Sequence, residues 1–344
     1  MINKDNSIAV VEKLTGLKGE VVKETRLIAT YNVEDASNPT PLFVGAESVG
    51  FSASTIYDKI EIDNVEIDIS DLSSSEQEST TFYSYQLTSG EHTVKYTLKD
   101  PTMIGAEVDE ETHMPSKLGA SFINCPITSV KIPNSVTSIG SNTFYVCSSL
   151  TEVTIPNTVT NIGEYAFLNC TNLTNITIPD SVTSIGFMAF YECSGLTNIT
   201  IGKGVTSIDD SAFQYCTGLT SVAIPNSVTS IGNSAFANCS GLTSTSISNN
   251  VTRIEPNTFY ECVNLTNVTI GSSVTSIGTY AFYYCSSLMS ITSLAITAPT
   301  IKDNTFYSIK TNGTLTVPAG ATGYDAWMDT SNFYLGSYNW TKVE

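Results

Sequence analysis

The chain has little positive charge and almost no histidine. It contains 15 lysines and arginines against 33 aspartates and glutamates, a formal net charge of −18, and only 2 histidines. Nucleic acids and anionic membranes are bound through lysine and arginine, so this composition argues against both as partners. His92 and His113 belong to no nucleophile pattern, and the sequence has no glycine-rich phosphate loop and no metal-spaced cysteine and histidine cluster. We therefore predict a protein that is not an enzyme and that uses no cofactor or metal.

Long apolar runs are also missing. None approaches the ~18 residues of a membrane helix, so we predict no direct membrane insertion. Met1 and Ile2 are followed by the polar residues 3–6, and no apolar secretory segment appears. Two explanations stay open for a surface location: a signal removed upstream of this chain, or a virion component that is made in the host cytoplasm and needs no signal.

What the sequence has in abundance is one repeated pattern. All eight cysteines recur at steps of 22 and then 23 residues, and a phenylalanine lies three residues before each of them. The cysteines are Cys125, Cys147, Cys170, Cys193, Cys216, Cys239, Cys262 and Cys285. The phenylalanines are Phe122, Phe144, Phe167, Phe190, Phe213, Phe236, Phe259 and Phe282. Self-similarity at this period predicts a solenoid, in which each unit buries its apolar residues only against its neighbours.

One unit shows how the repeat folds. Residues 173–178 alternate apolar and polar side chains and predict a short strand, which Pro179 ends because it has no N–H to donate. Residues 182–185 begin a second short apolar element. The apolar spacing of residues 189–193 predicts a helical or 3₁₀ turn. Each cysteine is expected to be a small buried side chain with a free thiol, because side chains in register point the same way.

The repeated pattern LTxIxIPxxVTxIGxxAFxxC resembles the BspA-like leucine-rich repeats of surface proteins from gut and oral bacteria and some parasitic protists. Similar repeat proteins also occur in phages of gut bacteria. The resemblance covers roughly residues 101–310. It implies a curved leucine-rich-repeat solenoid without catalytic residues, which binds other macromolecules in adhesion to host matrix proteins or to other cells.

Four segments are predicted along the chain. Residues 1–25 form an N-terminal arm, and residues 26–100 form a small all-β domain, an Ig-like sandwich with a hairpin turn at Asp63-Asn64. Residues 101–310 form the solenoid, and residues 311–344 form an aromatic C-terminal cap. The first solenoid unit carries an insertion at about residues 106–118. Its acidic residues and its histidine predict a solvated loop in preference to a metal site, and they are Glu107, Asp109, Glu110, Glu111 and His113.

The candidate binding face consists of the polar strand positions, which recur along one side of the solenoid. Two interpretations are open: a broad, uncharged concave face for a protein or glycan, or polar residues that only solvate and stabilise a sheet. The face lacks the aromatic and arginine residues that usually anchor tight binding, which favours weak multivalent contact. The candidates are Thr151, Glu152, Thr154, Thr174, Asn175, Thr177, Thr197, Asn198, Thr200, Thr220, Ser221, Thr266, Asn267 and Thr269.

The sequence thus predicts a binding or adhesion protein that presents its solenoid to a protein or glycan on a cell surface. The alternative is a bacteriophage virion component, either a fibre or a head or tail decoration. In that case residues 1–100 anchor the protein by self-association or virion assembly, and the solenoid contacts the host. The expected location is extracellular, at a cell surface or at a virion surface.

Overall fold

The structure is a computed structural model that describes residues 26–33, 37, 40–45, 57–77, 80–98, 102–108, 115–118, 121–331 and 333–344. The arm predicted for residues 1–25 lies outside these ranges. Regular structure in the described residues consists of short strands and a few 3₁₀ turns, which are Ile69–Asp71, Tyr324–Met328 and Leu335–Tyr338.

The N-terminal region contains two antiparallel sheets. The larger has the order β1-β7-β3-β4, with β1 Arg26–Val33, β3 Tyr57–Ile62, β4 Val65–Ile67 and β7 Gly90–Leu98. The smaller has the order β2-β6-β5, with β2 Thr40–Gly45, β5 Ser73–Gln77 and β6 Thr80–Tyr85. Alternate side chains of β1 are buried, which is the period of a strand with one face in a core. The predicted hairpin turn is confirmed, since Asp63 and Asn64 join β3 to β4 with φ values of 50° and 68°.

Two buried tyrosines hold these sheets together. The Tyr31 hydroxyl lies 2.7 Å from the Leu42 carbonyl oxygen and donates to it, and the Tyr96 hydroxyl lies 3.1 Å from the same oxygen. Leu42 belongs to β2, while Tyr31 and Tyr96 belong to β1 and β7. Burial raises the pKa of both phenols well above the usual value, so they remain protonated donors.

The larger sheet does not end within the N-terminal region. Strand β1 also pairs antiparallel with β11, Ile127–Lys131, which is a strand of the solenoid. The order of the whole sheet is therefore β13-β11-β1-β7-β3-β4, with β13 at Glu152–Thr154. The region is a mixed β-sheet region, and the predicted Ig-like sandwich is not confirmed because its larger sheet continues into the repeats. The boundary predicted near residue 100 lies between segments that share one sheet.

The solenoid has two rows of parallel strands, and most units contribute one strand to each row. The first row comprises β11, β13, β15 Asn175–Thr177, β17 Asn198–Thr200, β19 Ser221–Ala223, β21 Ser244–Ser246, β23 Asn267–Ile270, β25 Ser290–Ser293, β26 Thr314–Thr316 and β27 Thr341–Val343. The second row comprises β8 Met103–Ile104, β12 Ser138–Ile139, β14 Asn161–Ile162, β16 Ser184–Ile185, β18 Ser207–Ile208, β20 Ser230–Ile231, β22 Arg253–Ile254 and β24 Ser276–Ile277. The pairing is in register from unit to unit, as in Asn175 opposite Asn198.

In each unit the segment after the second-row strand forms a series of turns, and not the predicted helical or 3₁₀ turn. We call this segment the third side of the unit. Residues 121–309 contain no helical segment, and two residues of each turn have left-handed backbone, such as Met188 (φ 51°) and Glu192 (φ 58°). Alternate N–H groups bond to the next unit, as from Phe167 N to Ala189 O at 2.8 Å and from Asn169 N to Tyr191 O at 2.7 Å. A helix satisfies its N–H groups within itself, whereas this turn uses half of them to join neighbouring units.

The described part of the predicted insertion is a two-stranded antiparallel ribbon. It consists of β9, Ala106–Val108, and β10, Pro115–Leu118. Its residues 109–114 lie outside the described ranges, and with them Asp109, Glu110, Glu111 and His113.

The core is organised around a column of phenylalanine rings, one from each unit. From Phe122 to Phe306, successive ring centroids lie between 5.0 and 5.7 Å apart, with nearly parallel planes. At one end Tyr96 packs edge-on against Phe122 at 5.4 Å, and at the other Trp327 contacts Phe306 at 5.5 Å. The column therefore ends on aromatic side chains from outside the repeats, in place of water.

The cysteines form a second column, and their thiols also donate hydrogen bonds. The Cys193 sulfur lies 3.1 Å from the Phe167 carbonyl oxygen of the preceding unit, and the Cys216 sulfur lies 3.2 Å from that of Phe190. The Phe167 oxygen also accepts the Cys170 N–H at 3.2 Å. The residue is thus a small buried side chain that also supplies a weak donor between units.

We predict that the native thiols resist modification. All eight cysteines are buried with free thiols, and burial raises the pKa of Cys193 and of Cys239 to about 12, so little reactive thiolate forms near neutral pH. A disulfide reagent at about pH 8 should release almost no chromophore from the folded chain and about eight equivalents from the denatured chain. Rapid reaction of several thiols in the native state would contradict this packing.

Thr245 is a departure from the apolar pattern of the first row. It occupies the buried position held by Val222 and Val268 in the flanking strands and is 6% exposed. Its hydroxyl has no hydrogen-bond partner among the described residues. An unpaired buried hydroxyl destabilises a fold because it has lost its hydrogen bonds to water.

We predict that Thr245→Val stabilises the protein by about 1–2 kcal/mol, because it removes that hydroxyl while keeping the side-chain shape. Urea unfolding followed by circular dichroism measures the change in midpoint. The matched control is Thr243→Val, because the Thr243 hydroxyl donates to Thr220 O at 3.1 Å and its loss should not stabilise. Equal effects of the two substitutions would contradict the prediction.

Candidate binding surface

The predicted binding residues lie on or directly beside β13, β15, β17, β19 and β23 of the first row. We call their outward side chains the threonine–asparagine face. They alternate with buried apolar residues such as Val153 and Ile176. Twelve of the fourteen are exposed, while Thr266 and Thr269 are half-buried. The structure thus brings the fourteen residues to one row of strands.

The leading threonine has a structural role in four of the five triplets, all except that of Thr174. The Thr151 hydroxyl donates to Thr128 O at 2.9 Å, that of Thr197 to Thr174 O at 3.1 Å, and that of Thr266 to Thr243 O at 2.9 Å. Each bond joins one unit to the unit before it. These hydroxyls already donate their protons within the protein, so the stabilising interpretation holds at these positions.

The asparagines also bond mainly within the face. Asn198 Nδ2 lies 2.9 Å from Asn175 Oδ1, so the Asn198 amide donates along the row. The amide of Asn267 lies 2.8 Å from the Thr266 hydroxyl oxygen and donates to it. In the ranges that the structure covers, Ser221 and the last threonine of each triplet have no side-chain hydrogen bond, and these threonines are Thr154, Thr177, Thr200 and Thr269. Their hydroxyls can both donate to and accept from a ligand.

A second surface, which the sequence analysis did not identify, lies on the third side of the last units. We call it the tyrosine cluster, and its residues are Tyr260, Tyr280, Tyr283, Tyr284, Tyr307 and Phe333. The rings touch in sequence: Tyr260 to Tyr283 at 5.2 Å, Tyr283 to Tyr307 at 4.8 Å, and Tyr307 to Phe333 at 4.7 Å. Tyr280 and Tyr284 also contact Tyr283, at 5.2 and 4.8 Å. The predicted lack of aromatic anchors applies to the strand face only.

A cleft adjoins the tyrosine cluster. Its volume is about 500 Å³, and its lining residues are Tyr307, Ser308, Thr330, Phe333, Ser337 and Tyr338. Ser308 N donates to the Tyr338 hydroxyl oxygen at 2.7 Å, and the Ser337 hydroxyl donates to Thr330 O at 2.8 Å. These bonds fix the 3₁₀ turn Leu335–Tyr338 against the last repeat turn. The cleft is thus formed by aromatic rings and hydroxyl groups.

The sequence does contain a pattern that corresponds to the tyrosine cluster, but it can be interpreted only when the outward side of the turn is known. Phe259, Phe282 and Phe306 are each followed directly by a tyrosine, and Tyr284 adds a further ring in the middle unit. The pattern did not show whether these tyrosines face the core or the solvent, because the predicted turn geometry was wrong.

The titratable groups of the described residues form no metal-binding cluster. No group of three or more histidine, cysteine, aspartate or glutamate side chains within those residues is arranged to hold a metal ion. Among the same residues, no helix has the length and apolar character needed to cross a membrane. Of the insertion residues considered for a metal site, Asp109, Glu110, Glu111 and His113 lie outside the described ranges.

His92 and Asp63 form a hydrogen-bonded pair that has a structural role in the N-terminal region. His92 Nδ1 lies 2.7 Å from Asp63 Oδ2, and His92 Nε2 lies 2.9 Å from Thr88 O. Both ring nitrogens face oxygen acceptors, which favours the doubly protonated ring. The hydrogen bond to Asp63 raises the pKa of His92, and the same bond, with a further one from Thr93 N, lowers the pKa of Asp63. The pair fixes the β3–β4 hairpin turn against β7.

We predict that this pair makes stability depend on pH. The raised pKa of His92 contributes stability that is complete below its unfolded value of about 6.5 and is lost as pH rises through the folded value. The lowered pKa of Asp63 contributes stability that is lost as pH falls through the folded pKa of Asp63. Between about pH 6 and about pH 9 the free energy of unfolding should fall by about 1 kcal/mol.

The matched variant for this prediction is His92→Gln, which retains a hydrogen-bonding side chain without the charge. Its free energy of unfolding, measured by urea titration at each pH, should depend much less on pH than that of the wild type. A wild-type stability that is constant over this range would show that the pair does not act as an ion pair.

A family model for the BspA type leucine rich repeat region matches residues 119–243 and 206–328, which together span more than half of the chain. No curated protein is significantly similar to the chain.

Among solved structures, the T. pallidum leucine rich repeat protein TpLRR is 30% identical, with 47% of this chain and 78% of that chain covered and a TM-score of 0.44. A leucine rich cell surface protein from Faecalibacterium prausnitzii A2-165 is 27% identical, with coverage of 71% and 86% and a TM-score of 0.33. The pneumococcal vaccine antigen PcpA is 17% identical, with coverage of 64% and 68% and a TM-score of 0.38.

Proposed function

The chain belongs to the BspA type leucine-rich repeat family, and from this premise we propose that it is a non-enzymatic binding and adhesion protein. It presents its solenoid to a protein or glycan partner at a cell surface. Family membership supports a role in binding. The observation that carries the proposal is the row of hydroxyls on the threonine–asparagine face that have no partner in the described protein.

The chemistry of this face suits weak contacts repeated along a partner. Free hydroxyls recur from unit to unit at Thr154, Thr177 and Thr200, at the spacing of neighbouring strands, about 4.8 Å. Glu152 is the one charged residue among the fourteen candidates. A partner with its own repeated polar groups can therefore engage several units at once, and the avidity exceeds the affinity of each contact.

We predict that Ser221→Lys lowers binding at least about tenfold, because it puts a bulky charge, which must be desolvated, on a neutral face. The test measures binding of the labelled full chain to cultured epithelial cells, to immobilised matrix proteins and to mucin glycoproteins. Ser230→Lys is the matched control, since Ser230 is also an exposed strand serine but lies in the second row. No binding to any of these surfaces by the wild type would contradict the proposed function.

A virion component is the second candidate, and one observation favours the self-association that it requires. Strand β4 is the outermost strand of its sheet in the described part of the chain, and its Val65 is 63% exposed. An open edge strand can pair with another chain. Light scattering on the full chain tests this candidate: a stable oligomer that Val65→Lys dissociates would support it, and a monomer would contradict it.

A further inference from the structure

We propose that the tyrosine cluster and the adjoining cleft form a binding site for a neutral saccharide. This inference deepens the proposed binding function, because it names a ligand class and a site that differs from the threonine–asparagine face. Three observations carry it: the exposure of rings that the core does not need, the polar groups of the cleft, and the charge of its surroundings.

The tyrosine cluster is not part of the aromatic core. The phenylalanine column is already complete at this end, from Phe282 through Phe306 to the buried Trp327. Tyr280, Tyr284 and Phe333 are 38%, 42% and 48% exposed and lie outside that column. Exposed aromatic surface is unfavourable in water, so three neighbouring exposed rings call for an explanation other than folding.

The repeat fold itself does not require these rings. The position of Tyr284 is occupied in earlier units by Asn169, Glu192 and Asn238, and that of Tyr283 by Gln214 and Ala237. Small and polar residues thus satisfy the same turn. Tyr145 and Tyr191 also occupy the position of Tyr283, but both positions are aromatic together only in the unit of Tyr283 and Tyr284, next to the last repeat turn that borders the cleft.

The cleft offers hydroxyls beside the rings. Ser308 Oγ and Thr330 Oγ1 have no partner among the residues that the structure describes. The Tyr338 hydroxyl accepts a bond from Ser308 N and keeps its own proton to donate. A pyranose ring has apolar C–H faces and a rim of hydroxyls, so it can pack on an aromatic ring while its rim bonds to such groups. The cleft volume of about 500 Å³ is sufficient for a saccharide of one or two rings.

The surrounding charge selects a neutral saccharide over an acidic one. None of the six lining residues is charged, and none of the cluster residues is a lysine or arginine. Two carboxylates adjoin the site in the chain, Glu261 beside Tyr260 and Asp329 beside Thr330. A sialylated, uronic acid or sulfated glycan would bring an anion close to these carboxylates, whereas a neutral saccharide would not.

Variants of two exposed rings test the site. The full chain is titrated calorimetrically with neutral hexose and N-acetylhexosamine oligosaccharides and with their sialylated or uronic acid counterparts. Tyr284→Ala and Phe333→Ala should each weaken binding of the neutral oligosaccharide about tenfold, the loss expected when one stacked aromatic contact is removed. Ser308→Ala should weaken it about threefold through the loss of one hydrogen bond.

Tyr215→Ala is the matched control. Tyr215 occupies the position of Tyr284 three units earlier and is 37% exposed, but it contacts Tyr191 and lies outside the cluster. It should leave saccharide affinity unchanged. Circular dichroism verifies that each variant is folded, and saturation-transfer NMR on the wild type identifies which protons of the saccharide contact the protein without any substitution.

Four outcomes would overturn the inference. They are no binding of any neutral saccharide, tighter binding of the acidic counterparts, equal loss in Tyr284→Ala and Tyr215→Ala, and loss of binding to a protein in Tyr284→Ala without any saccharide binding. The last would make the cluster a protein-docking site. The proposed function is tested separately by Ser221→Lys, so a wild type that binds cells but binds no neutral saccharide would reject this site and leave that function intact.

Discussion

The structure depends on hydrogen bonding in register between neighbouring units. Strand pairs join equivalent residues, such as Asn175 and Asn198, and on the third side the turn also sends alternate N–H groups to the next unit. Because the backbone repeats in register, each side chain lies against its own counterpart. Phenylalanine therefore stacks on phenylalanine, the thiols from Cys147 to Cys285 donate to the same carbonyl one unit back, and most leading threonines bond to the unit before them. A residue type that satisfies one interface satisfies them all, which explains why the pattern is so uniform.

The stack has two ends, where the strand edge and the aromatic column have no neighbouring unit to pair with. At the N-terminal end β1 pairs with β11 and Tyr96 covers Phe122. At the C-terminal end Trp327 covers Phe306, and its indole N–H donates to Pro299 O at 2.9 Å. The end segments are consequently part of the same folded structure as the repeats. Removal of the N-terminal sheets would expose both an edge strand and the face of the aromatic column.

The sequence alone predicted the buried core correctly, but it did not predict the geometry of the turn on which the tyrosines lie. A period of 23 residues with alternating apolar positions identified the strands, the buried columns and the polar face. The segment was predicted as a helical or 3₁₀ turn because Ala189, Phe190 and Cys193 have a spacing that also fits one helical turn. Its left-handed positions carry no common signature, since Met188, Glu192 and Tyr215 all occupy them. The pairing of β1 with β11 joins residues about a hundred positions apart, and no local pattern can reveal that. Whether the fourteen candidate residues bind a ligand depends on a partner, which a sequence does not contain.

The spacing of the repeats has a consequence for how such a chain can change in length. The two steps that depart from 23 residues, from Phe122 to Phe144 and from Phe282 to Phe306, both lie at the ends of the stack. Between them every step is 23 residues, so a whole unit can be gained or lost by recombination between similar gene segments while the register of the columns is kept. Addition of one residue to a strand would shift every following column. The copy number of the units is therefore free to vary in evolution, and with it the length of the threonine–asparagine face, while the distance between that face and the tyrosine cluster of the last units stays fixed.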